Sequence, residues 1–395
     1  MSKILFFTWP GGGNQPPAIG LAQRLRRTGH DVTIAGYADQ SSRFDALGID
    51  FSTLPRSGAA WEEFDPAELM PLLIGRIWAS PDHPADTTEI VDRYEPDLVV
   101  VDCLMGGVLA AMETIPIPTL VLVHSAPGAL APPGGSTDAM ILGGLNRIRA
   151  DLDLGPVDTL QQAWQRHRVI CTSIPELDPL GADAAVGTTW IGPVPEDPTP
   201  TAWTPDGQHG LPLVLVSFSS GAAWDQTSRI QRTIDGLAGA DVRVVVTTGE
   251  VDPTHLRIPS PAMTVVNHLP HDAVLPHAAA VVTHAGHGTL TAALTHGLPV
   301  VALPNLAADQ PALAEQAARL GVGIHLQDDA ASPADIAHAV RTVLDTPAYA
   351  SRARALGYRI ESYRDQPLVA VRSVLENAAP ARPGSLYEDD PDVDR

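Results

Sequence analysis

The sequence predicts two doubly wound parallel-sheet α/β domains in tandem, and three observations carry that prediction. Short, continuous runs of β-branched residues recur along both halves of the chain, as strands buried on both faces require. Stretches with helical apolar spacing separate the runs, which is the pattern of repeated βαβ units. At 395 residues the chain is also too long for one ordinary core.

In the first half, Lys3–Thr8 (KILFFT) is a short apolar run followed by a glycine-rich turn, WPGGGNQPP. Helical spacing through Ile19, Ala22 and Leu25 comes next, with a stop at Gly29 and a strand at Val32–Ala35. Asp97–Asp102 (DLVVVD) and Thr119–His124 (TLVLVH) read as buried strands, and RVICTS and TTWIGP complete the series. The stretch from about Gly58 to Asp86 carries Trp61, Trp78 and several prolines, and is expected to be irregular, as lids and binding loops often are. The second half repeats the theme with PLVLVSFSS, VRVVVTTG, MTVVNHL, AVVTHAG and PVVALP. Between the halves, GPVPEDPTPTAWTPDGQHG is rich in Pro, Asp and Thr and reads as a linker. The expected organisation is a first domain over 1–192, a linker over 193–210 and a second domain over 211–362. A last helix lies within 363–379, and the acidic residues 380–395 read as a disordered tail.

The chain carries 25 basic and 46 acidic residues, a net charge of −21, which disfavours nucleic acid and anionic membranes as partners. Cys103 and Cys171 lie in apolar runs without metal-ligating neighbours in the local sequence, so both are expected to be buried structural thiols in a reducing cytoplasm. The start, MSKILFF, lacks the apolar stretch of a signal peptide, and no run is long enough to span a bilayer.

The stretch VVTHAGHGTLTAAL (Val281–Leu294) runs from a strand through small residues into a helix. Ligands of open α/β sheets bind beyond the carboxyl ends of strands, where this loop falls. Gly286 and Gly288 let the backbone approach a ligand, the helix N-terminus offers unpaired amides, and Thr289 is placed as an N-cap or hydroxyl donor. The same residues also suit a plain helix cap with small side chains for packing. No lysine or arginine occurs from Ile258 to Ala318, so an anion here would depend on amides, hydroxyls and imidazoles. Asp309 and Gln310 follow the next strand; as a pair they suit sugar hydroxyls, and Asp309 equally suits a helix cap. The HAGH spacing has no acidic or thiol ligand near it in sequence, so no metal is expected. His255, His271, His277, His296 and His325 read as loop or surface residues.

The stretch HLPHDAVLPHAAAVVTHAGHGTLTAALTHGLPVVALPNLAADQPALAEQAARLGVG resembles the donor-binding stretch of family 1 nucleotide-sugar glycosyltransferases of the GT-B fold, in particular those that decorate bacterial natural products. GPV before the linker, VSFSS and GHDVTIAG agree with it. The resemblance implies a cleft between the two domains, with acceptor bound by the first and nucleotide sugar by the second. It implies that His284, Gly286, His287, Gly288 and Thr289 surround the donor diphosphate, with Ser219 and Ser220 facing it. His268 takes the place of an aromatic residue that stacks on the nucleobase, Leu269 offers it backbone groups, and Asp309 and Gln310 read the sugar. Leu313 stands where many relatives have Asn.

Relatives open with a motif resembling G-H-V-N-P, whose His is the general base, oriented by an Asp after a later strand. Here WPGGGNQPPAIGLA puts Asn14 at the His position, and an amide cannot act as a base near neutral pH. Asp102 matches the orienting carboxylate. Three readings follow: His124 substitutes as base, Asp102 acts directly in an apolar pocket, or the acceptor needs little help. The expectation adopted is Asp102 as the main acid/base group, with Asn14 positioning the acceptor and His124 lining the pocket. Trp9, Gly13, Trp61 and Trp78 are expected to contact an apolar or aromatic acceptor.

The resemblance thus implies inverting, metal-independent transfer from a dTDP- or UDP-sugar to a small molecule, with no cofactor, by a cytoplasmic monomer or homodimer. A catalytically silent auxiliary homologue and, further off, a nucleotide-sugar epimerase are the alternatives.

Overall fold

The computed structural model describes residues 1–61, 68–181, 187–201, 203–205, 210–218, 226–305, 308–327 and 330–378. Its first sheet is formed by β1 (Lys3–Phe7), β2 (Asp31–Gly36), β3 (Asp50–Thr53), β4 (Leu98–Asp102), β5 (Thr119–Val123), β6 (Arg168–Cys171) and β7 (Thr188–Trp190). The second contains β8 (Leu213–Ser217), β9 (Arg243–Thr247), β10 (Met263–Val266), β11 (Ala280–Thr283), β12 (Val300–Ala302) and β13 (Gly323–His325). Every pairing is parallel, in the orders β3-β2-β1-β4-β5-β6-β7 and β10-β9-β8-β11-β12-β13. The two-domain doubly wound architecture expected from the sequence is therefore present. In each sheet the strand order reverses at one point, β1/β4 in the first and β8/β11 in the second. A crevice for ligand opens at the carboxyl ends of the strands at such a switch.

The central strands are buried along their whole length, which explains why they read as unbroken apolar runs. The edge strands β3 (DFST) and β13 (GIH) lack such runs because they are only partly covered, and the sequence reading misses both. His325 accordingly lies in a strand, contrary to expectation. The stretch expected to be irregular also contains regular structure: helical turns at Leu69–Leu72 and Leu73–Trp78, then a helix at His83–Tyr94. Pro84 sits in that helix's first turn, where a missing N–H costs nothing, so proline there marks a start and not a break.

The start of the linker lies on the first domain, whereas Trp203 packs against the second half, with its ring centroid 6.2 Å from that of His277. Arg27 pairs with Asp197 and Arg43 with Glu196, and the Gln23 side chain accepts from the Asp197 amide at 2.7 Å. A Cβ on Gly20 would lie 2.2 Å from the Pro195 carbonyl oxygen, so only glycine lets the helix Gln15–Arg27 lie against this strap. The helix Gln366–Ala378 then buries Val371 and Val374 among Ile4, Ile19 and Leu98 of the first domain. The acidic residues 380–395 lie outside the described residues. No helix among the described residues is long and apolar enough to cross a membrane.

The two domains share an apolar seam. Ala126, Ala129, Ile174 and Leu177 bury with Leu269, Leu290, Leu313 and Ile360 of the second half. Each of the Leu and Ile side chains contributes about 1.5–3 kcal/mol when fully buried. At its rim Gln316 Nε2 donates to the Glu176 carbonyl at 2.6 Å, and Arg359 Nε to the Glu176 carboxylate at 2.7 Å.

Candidate active site

The first switch point gathers a carboxylate saturated with donors. Asp102 ends β4 and is buried. Its Oδ1 accepts from Trp9 Nε1 and from the Leu104 amide, both at 3.0 Å. Its Oδ2 takes Asn14 Nδ2 at 3.2 Å and meets His124 Nδ1 at 3.1 Å. A carboxylate has about four lone-pair positions, so none is left for a substrate hydroxyl. These contacts bear on the expectation that Asp102 is itself the acid/base group, which would require one of them to give way. Asn14, which precedes the helix Gln15–Arg27, also donates to the Trp9 carbonyl at 2.9 Å, while its buried Oδ1 has no partner among the described residues.

His124 follows β5 directly, with only 11% of its side chain exposed. Burial lowers its basicity, but Cys103 and Asp102 beside it raise it, and the net result is a pKa well above 6.5. The Cys103 thiol is itself pushed up by burial and is neutral at pH 7, so Asp102 is the charge beside His124 that stabilises an imidazolium formed on proton uptake. Cys103 is buried as expected, yet its Sγ lies 3.5 Å from His124 Nδ1, so it has the metal-ligating neighbours that local sequence does not show.

The tryptophans differ from expectation. Trp9 spends its N–H on Asp102 and meets Trp78 edge to face, with ring centroids 5.8 Å apart. Both rings are buried in the first domain's core, so neither lines an open acceptor surface. Trp61 packs partly buried against the same cluster, and Gly13 is exposed. A Cβ on Gly11 would lie 2.3 Å from the Trp9 ring, which explains one glycine of the turn.

At the second switch point β11 runs into the loop His284–Gly286 and the helix His287–Thr295. The cap is Gly286 and not Thr289, which lies in the first turn. Ala285 and Ala308 hold left-handed backbone at φ 61° and 53°, a conformation non-glycine residues rarely adopt outside constrained sites. A Cβ on Gly286 would lie 2.3 Å from His284 Nε2, so glycine admits the imidazole against the start of the helix. Burial, helped by Arg229, drives the His284 pKa down to about 4, and burial takes His287 to about 3. Both imidazoles are neutral at pH 7. His268 is exposed and Leu269 buried. Ser219 and Ser220 lie outside the described residues.

Three groups escape a sequence reading. Arg229, buried on the helix Thr227–Leu237, acts electrostatically on His284, so the lysine-free loop is not without fixed positive charge. His271, taken for a surface residue, meets Ser217 at 3.0 Å at the end of β8. Ser125 donates to Asp309 Oδ2 across the domain boundary, at 2.5 Å. Its only sequence signal is adjacency to His124. Burial raises the Asp309 pKa, opposed by Ser125 and by His124. Asp309 precedes the helix Gln310–Arg319 but makes no side-chain cap, and Gln310 Oε1 accepts from the Asn305 amide at 3.0 Å. His287 lies close enough to His124 to feel its charge. The structure therefore brings His124, Ser125, His287, Asp309 and Gln310 together from both domains.

Two Rossmann-like sheets whose switch points face one cleft define the GT-B class of two-domain transferase. Comparison with known proteins narrows this. The family described as "Erythromycin biosynthesis protein CIII-like, C-terminal domain" matches residues 206–367. The chain is 33% identical over 420 residues to aclacinomycin-T 2-deoxy-L-fucose transferase of Streptomyces galilaeus, covering 88% of this chain and 90% of that one. It is 29% identical over 408 residues to 4'-demethylrebeccamycin synthase of Lentzea aerocolonigenes, covering 90% and 94%. The solved structure of the glycotransferase of kitacinnamycin superposes with a TM-score of 0.77 at 22% identity, over 96% of this chain and 99% of that one. The chain belongs to the family 1 natural-product glycosyltransferases, and it is a glycosyltransferase of GT-B fold.

Proposed function

We propose that the chain transfers a sugar, with inversion, from a dTDP- or UDP-sugar held by the second domain to an apolar or aromatic small-molecule acceptor held by the first. One observation carries this reading. The His124–Asp102 pair stands one residue from Ser125, whose hydroxyl touches Asp309, so the candidate base and the candidate sugar-reading carboxylate border the same space.

In this reading the acceptor hydroxyl gives its proton to His124 Nε2 as its oxygen bonds to the anomeric carbon, and the bond to the diphosphate breaks on the opposite face. Nδ1 stays against Asp102, which is a positioning residue: it fixes the imidazole and stabilises the imidazolium. This assignment reverses the expected roles of Asp102 and His124. Asn14 cannot take a proton; it braces Asp102 through Nδ2 and keeps its buried Oδ1 for a donor on the acceptor. Charge on the leaving diphosphate meets the first-turn amides of His287, Gly288 and Thr289, the neutral His284, and the field of Arg229. His268 and Leu269 flank the nucleobase, and Asp309 and Gln310 read the sugar hydroxyls. The mechanism needs no metal or other cofactor. The names of the relatives support natural-product acceptors and antibiotic pathways.

Incubation with dTDP- and UDP-sugars and a panel of polyketide, phenolic and amine acceptors tests the reading. The expected outcome is a glycoside of inverted anomeric configuration. Normal donor binding by calorimetry with no product from any acceptor would restore the silent auxiliary homologue.

A further inference from the structure

Beside the proposed base lies a donor set that the transfer reaction does not use as a set. Asp102 pairs with Leu122 in the β4–β5 register, so Cys103 and His124 emerge from adjacent strand ends. A carboxylate oxygen of Asp102, Cys103 Sγ and a ring nitrogen of His124 lie within 4.8 Å of one another. Nδ1 is 3.1 Å from Oδ2 and 3.5 Å from Sγ.

These separations match a tetrahedral ion. With Zn–N and Zn–O bonds of about 2.1 Å and Zn–S of about 2.3 Å, a tetrahedral angle puts N and O about 3.4 Å apart and N and S about 3.6 Å apart. The set also mixes thiolate, imidazole and carboxylate, a combination that favours a borderline or soft divalent ion over magnesium or calcium. Asp102 and Cys103 are buried and His124 is partly exposed, so an ion would enter past the imidazole.

We propose that Asp102, Cys103 and His124 form a three-ligand site for one borderline-soft divalent cation, Zn²⁺ or Cd²⁺, whose binding reversibly inhibits transfer. The cation displaces the thiol proton of Cys103 and bonds to Nδ1. An imidazolium loses its Nδ1 proton to solvent, and a neutral Nδ1–H imidazole moves that proton to Nε2. Either way the bound imidazole carries its proton on Nε2, the atom that must accept one from the acceptor. Inhibition thus rests on His124 being the base, whereas binding does not.

The test uses the full-length chain after chelator treatment, titrated with Cd²⁺ and followed by the ultraviolet sulfur-to-cadmium charge-transfer band. Only Cys103 and Cys171 can give this band, because the chain has 2 cysteines. The band is expected to saturate at one ion per chain, to vanish in Cys103→Ser and to persist in Cys171→Ser. Zn²⁺ is expected to inhibit transfer reversibly with EDTA. Cys103→Ser should weaken that inhibition by more than the roughly 10–100-fold that follows loss of an outer-shell partner, each rate taken relative to the variant's own metal-free rate. No band in the wild-type titration overturns the site without recourse to any variant, and so does a band that survives Cys103→Ser. A band with stoichiometric binding but undiminished transfer leaves the site standing and overturns both the inhibition and the assignment of His124 as base.

Discussion

The two switch points share a topology and differ in electrostatics. At the end of β4 and β5, burial is overcome by the neighbouring Cys103 and Asp102, and His124 is held more basic than a free imidazole. At the end of β11, burial wins: His284 and His287 are driven to about 4 and about 3, with no carboxylate to support a charge. The difference is one residue type at one strand end. In the proposed mechanism Asp102 supports His124 as a proton acceptor, whereas the second domain's imidazoles, with no carboxylate among their described neighbours that raises them, stay neutral hydrogen-bonding groups. A base needs the first setting. A cradle for a leaving diphosphate needs the second, where a neutral group can donate without changing its charge.

The largest effects should come from the first setting. His124→Ala is expected to lower kcat by about 10²–10⁴-fold, the usual contribution of a general base, with the calorimetric Kd of the nucleotide sugar unchanged. Asp102→Asn should lower kcat toward the same floor and also move the acid limb of kcat/KM to lower pH, because the imidazole loses its carboxylate. A merely structural role for Asp102 would leave that limb in place. If His124→Ala keeps the wild-type rate while Asp102→Asn is inactive, the base is Asp102 and the contrast between the two ends fails.

Arg229 sharpens the other side. Its guanidinium is a fixed positive charge that acts on His284, and Arg229→Gln is expected to weaken nucleoside diphosphate binding by roughly tenfold. The loss should shrink with added salt only weakly, since Arg229 is buried. Unchanged affinity would mean that amides and neutral imidazoles suffice.

The two ends should also answer pH in opposite directions. His284 and His287 have folded pKa values below the unfolded value, so the unfolded chain binds more protons between about 4 and 6.5. Stability therefore rises with pH through that window and is lost as pH falls through it, by about 3 kcal/mol for His284 alone at 1.36 kcal/mol per unit. His124 has the reverse sign, with stability present below its unfolded value and lost as pH rises through its raised folded value. Thermal melts of His284→Gln and His287→Gln from about pH 4 to 7 should show a flatter decline on the acid side than the parent. An equal slope would mean that neither imidazole is buried neutral.

Much of the second domain was legible because its chemistry is local. Strand, glycine loop, helix start and the Asp309–Gln310 pair fall in one continuous stretch, and the fully covered strands read as apolar runs. The first domain's residues were named as well, Asp102 and Asn14 through the resemblance and His124 from its strand end, but their hydrogen bonding was not legible, because the site is assembled by register. Asp102, His124 and Asn14 meet only once β1, β4 and β5 lie side by side. Ser125 and Arg229 were missed for the same reason, each reaching the cleft from an element with no motif of its own. Trp9 is hard to place from sequence because its type fits an aromatic binding wall as well as it fits a buried ring with one polar edge.

Trp9 provides the finest test of the comparison. Trp9→Phe keeps an aromatic ring in the place that meets Trp78 and removes only the N–H that Asp102 Oδ1 accepts. Hydrogen bonds to charged groups contribute about 1.5–3 kcal/mol, but Asp102 retains the Leu104 amide on the same oxygen. The expected cost is therefore below that range, about 1 kcal/mol in stability and roughly fivefold in kcat. The acceptor KM should hold, because the ring is core and not cleft wall. A rise in acceptor KM with kcat unchanged would reinstate Trp9 as an acceptor contact, and would mean that Asp102 is held in place by Asn14 and the backbone alone.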